Sequence, residues 1–111
     1  MQLRLAVDAR DDHAVVTATG EIDVETAGSL SEAVTEALTR APRVLLDLTE
    51  VTFIDSTGLG VLVRAHRAAE ARGGFFAVVH PTPQTRKLVR VLGLDQLLHV
   101  YDTHEQALAD A

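Results

Sequence analysis

The 111-residue sequence contains no cysteine, so disulfides and thiolate metal ligands are excluded and the fold must rest on packing alone, as suits a reducing cytosol. Aromatic residues make up only 4% of the chain, which leaves little with which to stack bases and points to a core of Val, Leu and Ala. No stretch approaches the roughly 20 apolar residues that cross a bilayer. The opening "MQLRLAVDARDD" also has no apolar run of secretory length. A basic surplus is missing too: the net charge is −6, which disfavours binding to a polyanion. Together these absences predict a cytoplasmic protein that neither binds nucleic acid directly nor inserts into a membrane.

What is present is an apolar fraction of 47% and a charged fraction of 23%, ordinary for a globular protein, in a chain sized for one core. Residues 1–55 hold eleven acids and four bases, whereas residues 56–111 hold five acids and six bases. The plain reading of that asymmetry is a mixed solvated surface.

Strand and helix signals alternate along the chain. "LRLAV" and "HAVVTATG" read as strands of an antiparallel hairpin turning at Asp11 and Asp12, with Val15, Thr17 and Thr19 on one face of the second. Ala27, Leu30, Val34, Ala37 and Leu38 follow helical spacing up to Pro42. "RVLLDL" is a short, nearly continuous apolar run, as expected of a central strand. Leu59, Leu62, Val63, His66 and Ala69 mark a second helix ending at Gly73 and Gly74, and "FFAVVH" a further buried strand. "TPQTRKLVRVLGL" reads as a helix, "LLHVY" as a strand, and a last helix starts at Thr103. The predicted fold class is α/β: one domain over residues 1–111 in the order ββαβαβαβα, with a mixed, mostly parallel sheet packed by amphipathic helices.

The stretch "FIDSTGLGVLV" places Ser56 where a strand-like segment enters a helix. As a cap, Asp55 would accept from the N–H of Thr57 or Gly58 and set Ile54 and Leu59 as a hydrophobic staple, whereas a Ser56 cap would leave Gly60 in the staple position. Asp55 is therefore the expected cap, and Ser56 occupies the first helical position with its hydroxyl outward. A nucleophilic serine would need a nearby base, and none of the histidines at 13, 66, 80, 99 and 104 is nominated by spacing; a G-x-S-x-G elbow is also absent. "STGLG" lacks the GK[ST] of a phosphate loop. No set of His and acids has metal-ligand spacing, so a residue such as His66 reads as part of the packed face of its helix. The sequence thus predicts no catalytic residue and no metal site. Two readings of Ser56 stay open: a capped helix of purely structural purpose, or a residue that is modified. A phosphate there would add about −1.5 to −2 charges at a helix N-terminus that tolerates them.

"GEIDVETA", from Gly20 to Ala27, followed by "DLTEVTFIDSTGLGVLV", resembles the anti-sigma-factor antagonists of the STAS domain family, and the likeness extends to the "LGL" turn at Leu92–Leu94. The resemblance implies a non-enzymatic, partner-switching phosphoprotein of transcription regulation, in settings such as stress response and sporulation. Unmodified, it would bind an anti-sigma factor and free a sigma factor. That anti-sigma factor would also be a serine kinase of the histidine-kinase-like ATPase fold, using its own ATP and magnesium to phosphorylate Ser56, with Thr57 as a second acceptor. A PP2C-type phosphatase would restore the binding form, and the domain itself would need no cofactor. Asp23, Asp55, Ser56 and Thr57 are the expected docking residues, extended along the helix by Leu59 and Arg64. Gly58 and Gly60 are expected to serve tight packing against the sheet. The alternative within the family is an accessory subunit that binds the ATPase of a membrane transporter without a phosphorylation cycle.

Overall fold

The computed structural model describes residues 2–111. Strands β1 (Leu3–Ala9) and β2 (Ala14–Ile22) form the expected hairpin, with Leu3 opposite Gly20 and Ala9 opposite Ala14. Helix α1 (Ala27–Arg40) buries Ala27, Leu30, Val34, Ala37 and Leu38, the five residues whose spacing predicts it. The chain continues through β3 (Arg43–Ile54), α2 (Ser56–Ala71), β4 (Phe75–Val79), α3 (Pro83–Val91), β5 (His99–Tyr101) and α4 (His104–Asp110). A 3-10 turn at Leu94–Gln96, following Gly93 at φ 71°, is an addition to the expected order.

The sheet order is β1-β2-β3-β4-β5, antiparallel in the first pair and parallel in the other three. β3 is the central strand, and its apolar run is buried on both faces. Val44, Leu46 and Leu48 join the large cluster formed with α1 and α2, while Leu45 meets Val15, Ala77, Val79 and Ala107 of α4 on the opposite face. The helices therefore sandwich the sheet, α1 and α2 on one side and α4 on the other.

β3 runs six residues beyond the "RVLLDL" that signals it. Its register with β2 slips twice: Thr17 faces Asp47 but Thr19 faces Glu50, and Gly20 faces Val51 but Glu21 faces Phe53. At each slip β3 carries one extra residue, as in a β-bulge, so the positions buried in the large cluster change from alternation at Leu46 and Leu48 to steps of three at Val51 and Ile54. The register recovers at the end of the pair, where Ile22 lies beside Ile54. Two loops therefore leave the same end of the sheet together.

Candidate functional site

Those two loops carry the motif residues. In the first, the Asp23 side chain accepts from the N–H groups of Glu25 (2.9 Å) and Thr26 (3.1 Å), and the Asp23 carbonyl accepts from Ala27 (2.8 Å). The Thr26 hydroxyl accepts from the Asp23 N–H (2.9 Å) and donates to the Glu21 carbonyl (2.8 Å). The result is an Asx-type turn that starts α1. It buries Asp23 to 5% exposure and turns Val24 outward at 74% exposure. Gly20, which opens the motif, sits at φ 120°, and a Cβ there would collide with the Gln2 carbonyl.

In the second loop Asp55 is the N-cap of α2, its Oδ1 accepting from the Gly58 N–H at 3.2 Å. Ile54 and Leu59, the expected staple pair, both lie in the large cluster. Ser56 is the first residue of α2 and is exposed, and Thr57 is half-buried. The Asp55 N–H donates to the Ile22 carbonyl (3.2 Å) and the Ile54 N–H donates to Gln84 Oε1 on α3 (3.2 Å). The start of α2 is thus pinned from both sides, while the Ser56 hydroxyl projects from it unburdened by capping.

Four expected roles need correction or refinement. Asp23 does not offer its own side chain to a partner: at 5% exposure its carboxylate is spent on the N–H groups of Glu25 and Thr26. Leu59 does not extend a docking edge: it is 2% exposed, on the same face of α2 as buried Leu62 and His66, and a side chain in the core is not offered to a partner. Gly60 does not pack tightly, since a Cβ there would meet only Arg64 Nη1, at 3.4 Å. Gly58 does: its Cβ would lie 2.6 Å from Ile22 Cγ2 and 2.7 Å from Ile54 Cγ1. Arg64 is exposed two turns beyond Ser56, with its guanidinium lying back over Gly60, one turn from the serine. Val24 is the feature that sequence reasoning missed; its position between two acids in "GEIDVETA" was the available signal.

The structure also assembles a group that spacing does not reveal. Asp47, His80 and His104 each present one metal-ligating atom, all within 4.8 Å of one another. His104 Nε2 lies 2.8 Å from Asp47 Oδ2, and the Thr49 N–H (2.9 Å) and hydroxyl (2.6 Å) both donate to Asp47 Oδ1. Burial pushes the Asp47 carboxyl up, but the hydrogen bonds from Thr49 and His104 outweigh it and hold the group below the ordinary carboxylate value. His66, by contrast, is buried against Glu70 (3.2 Å) and the His99 ring.

The fold and these loops define a class: a small mixed α/β domain that presents a serine at a helix start. Residues 4–107 match the STAS domain family, and the chain belongs to that family. It is 32% identical over 102 residues to the anti-sigma-B factor antagonist of Listeria monocytogenes, covering 90% of each chain. A shorter stretch of 68 residues is 37% identical to the TM1081 homolog of Thermotoga neapolitana, spanning 61% of this chain and 60% of that protein. Among solved structures, an anti-sigma factor antagonist from Mycobacterium paratuberculosis superposes with a TM-score of 0.83 at 31% identity, covering 98% of this chain and 93% of the other. No helix among the described residues is long and apolar enough to cross a membrane.

Proposed function

We propose that this chain is an anti-sigma-factor antagonist that works by partner switching, with Ser56 as the residue that is switched. The observation that carries this reading is the division of labour at the start of α2: Asp55 supplies the cap, and the adjacent Ser56 hydroxyl is left exposed. A structural serine would have no need of that exposure. The names of the relatives support the antagonist role.

In the unmodified state the edge formed by the Asp23 turn, Val24, Asp55, Ser56 and Thr57, with Arg64 beyond it, docks on an anti-sigma factor and so frees a sigma factor. The anti-sigma factor is a serine kinase of the histidine-kinase-like ATPase fold. It transfers the γ-phosphoryl group of its own ATP to Ser56 Oγ. The added charge sits beside the Asp55 carboxylate and at the positive end of the α2 dipole, so the fold tolerates it while a docked partner meets new bulk and charge. A PP2C-type phosphatase removes the group and restores binding. The domain acts as a regulatory binding protein in the cytoplasm, not as an enzyme.

The test is affinity capture from a lysate of the native host with Ser56→Ala and Ser56→Asp as paired baits, the retained proteins being identified by mass spectrometry. A histidine-kinase-like ATPase held by the Ala form and lost from the folded Asp form is the expected result. Equal retention by both forms, above all of transporter subunits, would overturn the switch in favour of the accessory-subunit alternative.

A further inference from the structure

Asp47, His80 and His104 come from three separate places: the middle of β3, the residue that follows the end of β4, and the first turn of α4. The register explains their meeting, since Asp47 pairs with Val79, immediately before His80, and α4 packs over the same face of the sheet. We propose that these three side chains form a site for a borderline divalent transition metal of the zinc class, with solvent as the fourth ligand. This goes beyond the antagonist reading and is independent of it, because α4 and the Ser56 helix lie on opposite faces of the sheet.

The donor chemistry suits that ion. Two imidazoles and one carboxylate, with no thiolate, form a set that zinc takes in tetrahedral geometry while leaving one position open. The carboxylate is oriented for it: both hydrogen bonds from Thr49 fall on Asp47 Oδ1, so Oδ2 is the oxygen turned toward the histidines. Such outer hydrogen bonds fix and tune metal ligands. Access is available, with the Asp47 side chain 14% exposed and that of His104 35% exposed.

His80 carries a second, independent sign. Its φ of 51° makes it the one described non-glycine residue in the left-handed region, a conformation that the surrounding structure must hold in place. The hold is visible: the His80 N–H donates to the Tyr101 carbonyl at 3.1 Å. This turn swings the His80 ring to within 5.4 Å of the His104 ring, centroid to centroid. In a tetrahedral shell with bonds of about 2.0–2.1 Å, neighbouring donors stand roughly 3.4 Å apart. Binding therefore requires the 2.8 Å His104–Asp47 pair to open slightly and His80 to draw in, both within the reach of side-chain rotation. The other histidine–carboxylate pairs, His13 with Asp12 and His66 with Glu70, bring only two donors each.

The experiment is a titration of the full chain with Zn2+ against a chromophoric chelator, repeated with Co2+ to read coordination from its visible spectrum. One ion per chain and a tetrahedral cobalt spectrum are expected. His80→Asn, which keeps a residue tolerant of the left-handed backbone, and His104→Gln should each weaken binding by more than the roughly 10–100-fold that losing an outer hydrogen bond costs, and Thr49→Val by about that amount. His13→Gln, His66→Gln and Ser56→Asp should leave it unchanged. If a variant fails to fold, the wild-type chain still decides: Zn2+ must perturb the ring resonances of His80 and His104 and spare those of His13. Absence of stoichiometric binding, or binding that survives His80→Asn, overturns the site, and neither result touches the role proposed for Ser56.

Discussion

The backbone N–H of Asp55 donates to the carbonyl of Ile22 across 3.2 Å, and this one bond joins the two aspartate loops where they leave neighbouring parallel strands. Each loop then spends its aspartate on its own backbone: Asp23 shapes the turn into α1, and Asp55 caps α2. Val24 and Ser56 are among the side chains left facing outward. An edge that is rigid in its backbone and free in those two groups is suited to being read by a partner and altered by a small modification.

Replacing Asp55 should therefore cost stability before it costs recognition. Asp55→Ala removes the acceptor for the Gly58 N–H, and loss of such a cap destabilises by roughly 0.5–2 kcal/mol. Asp55→Asn keeps an acceptor and should lose much less. Urea unfolding of the two variants checks this, and equal losses would show that the charge rather than the cap matters.

The two glycines of "STGLG" should respond to alanine with opposite signs. At Gly58 the new methyl meets Ile22 and Ile54 well inside contact distance, and overpacking of this kind costs about 1–3 kcal/mol. At Gly60 it meets only the end of the flexible Arg64 side chain, so the gain in helix propensity, on the order of 1 kcal/mol, should dominate. Thermal unfolding of Gly58→Ala and Gly60→Ala measures both. A Gly60→Ala chain that is stabilised yet captures the partner less well would place Gly60 under the docked protein.

Much of this was legible in the sequence, and the exceptions share a cause. The α1 face, the Asp55 cap, the exposed Ser56 and the presence of helices α3 and α4 all follow from local spacing, because helices and caps are built from neighbours in sequence. The sequence pattern ends β3 at Leu48, because its two bulges replace the two-residue alternation with steps of three, a change that only the pairing with β2 determines. For Leu59 the helical spacing, which groups it with Leu62 and His66 on the core face, is a better guide than its nearness to the motif serine. The meeting of Asp47, His80 and His104 depends on strand register and on where α4 returns, neither of which is encoded in local spacing.

Val24 and Leu59 should separate docking from packing. Val24→Ser alters an exposed side chain, so stability should stay within about 0.5 kcal/mol while partner capture falls. Leu59→Ala opens a cavity in the core and should cost about 2–5 kcal/mol. Paired denaturation and capture assays distinguish the two, and full capture by Val24→Ser would remove Val24 from the interface.

The single tyrosine offers a clean test of the α4 side of the sheet, since no tryptophan overlaps its absorbance. Burial, the hydrogen bond Tyr101 donates to Asp110 (2.7 Å) and that carboxylate's charge push the phenol up to about 12, against about 10 in the unfolded chain. A pKa raised by folding means that the contribution to stability is complete below pH ~10 and is lost as pH rises through about 12. The phenolate absorbance of the folded chain should therefore appear only toward the top of that window. Asp110→Asn removes the charge but not the burial, so its titration should move partway back toward the unfolded value. In Tyr101→Phe the loss of stability between those pH limits should shrink relative to the wild-type chain. A folded wild-type phenol that titrates at the unfolded value would show that the contact between β5 and α4 does not persist in solution.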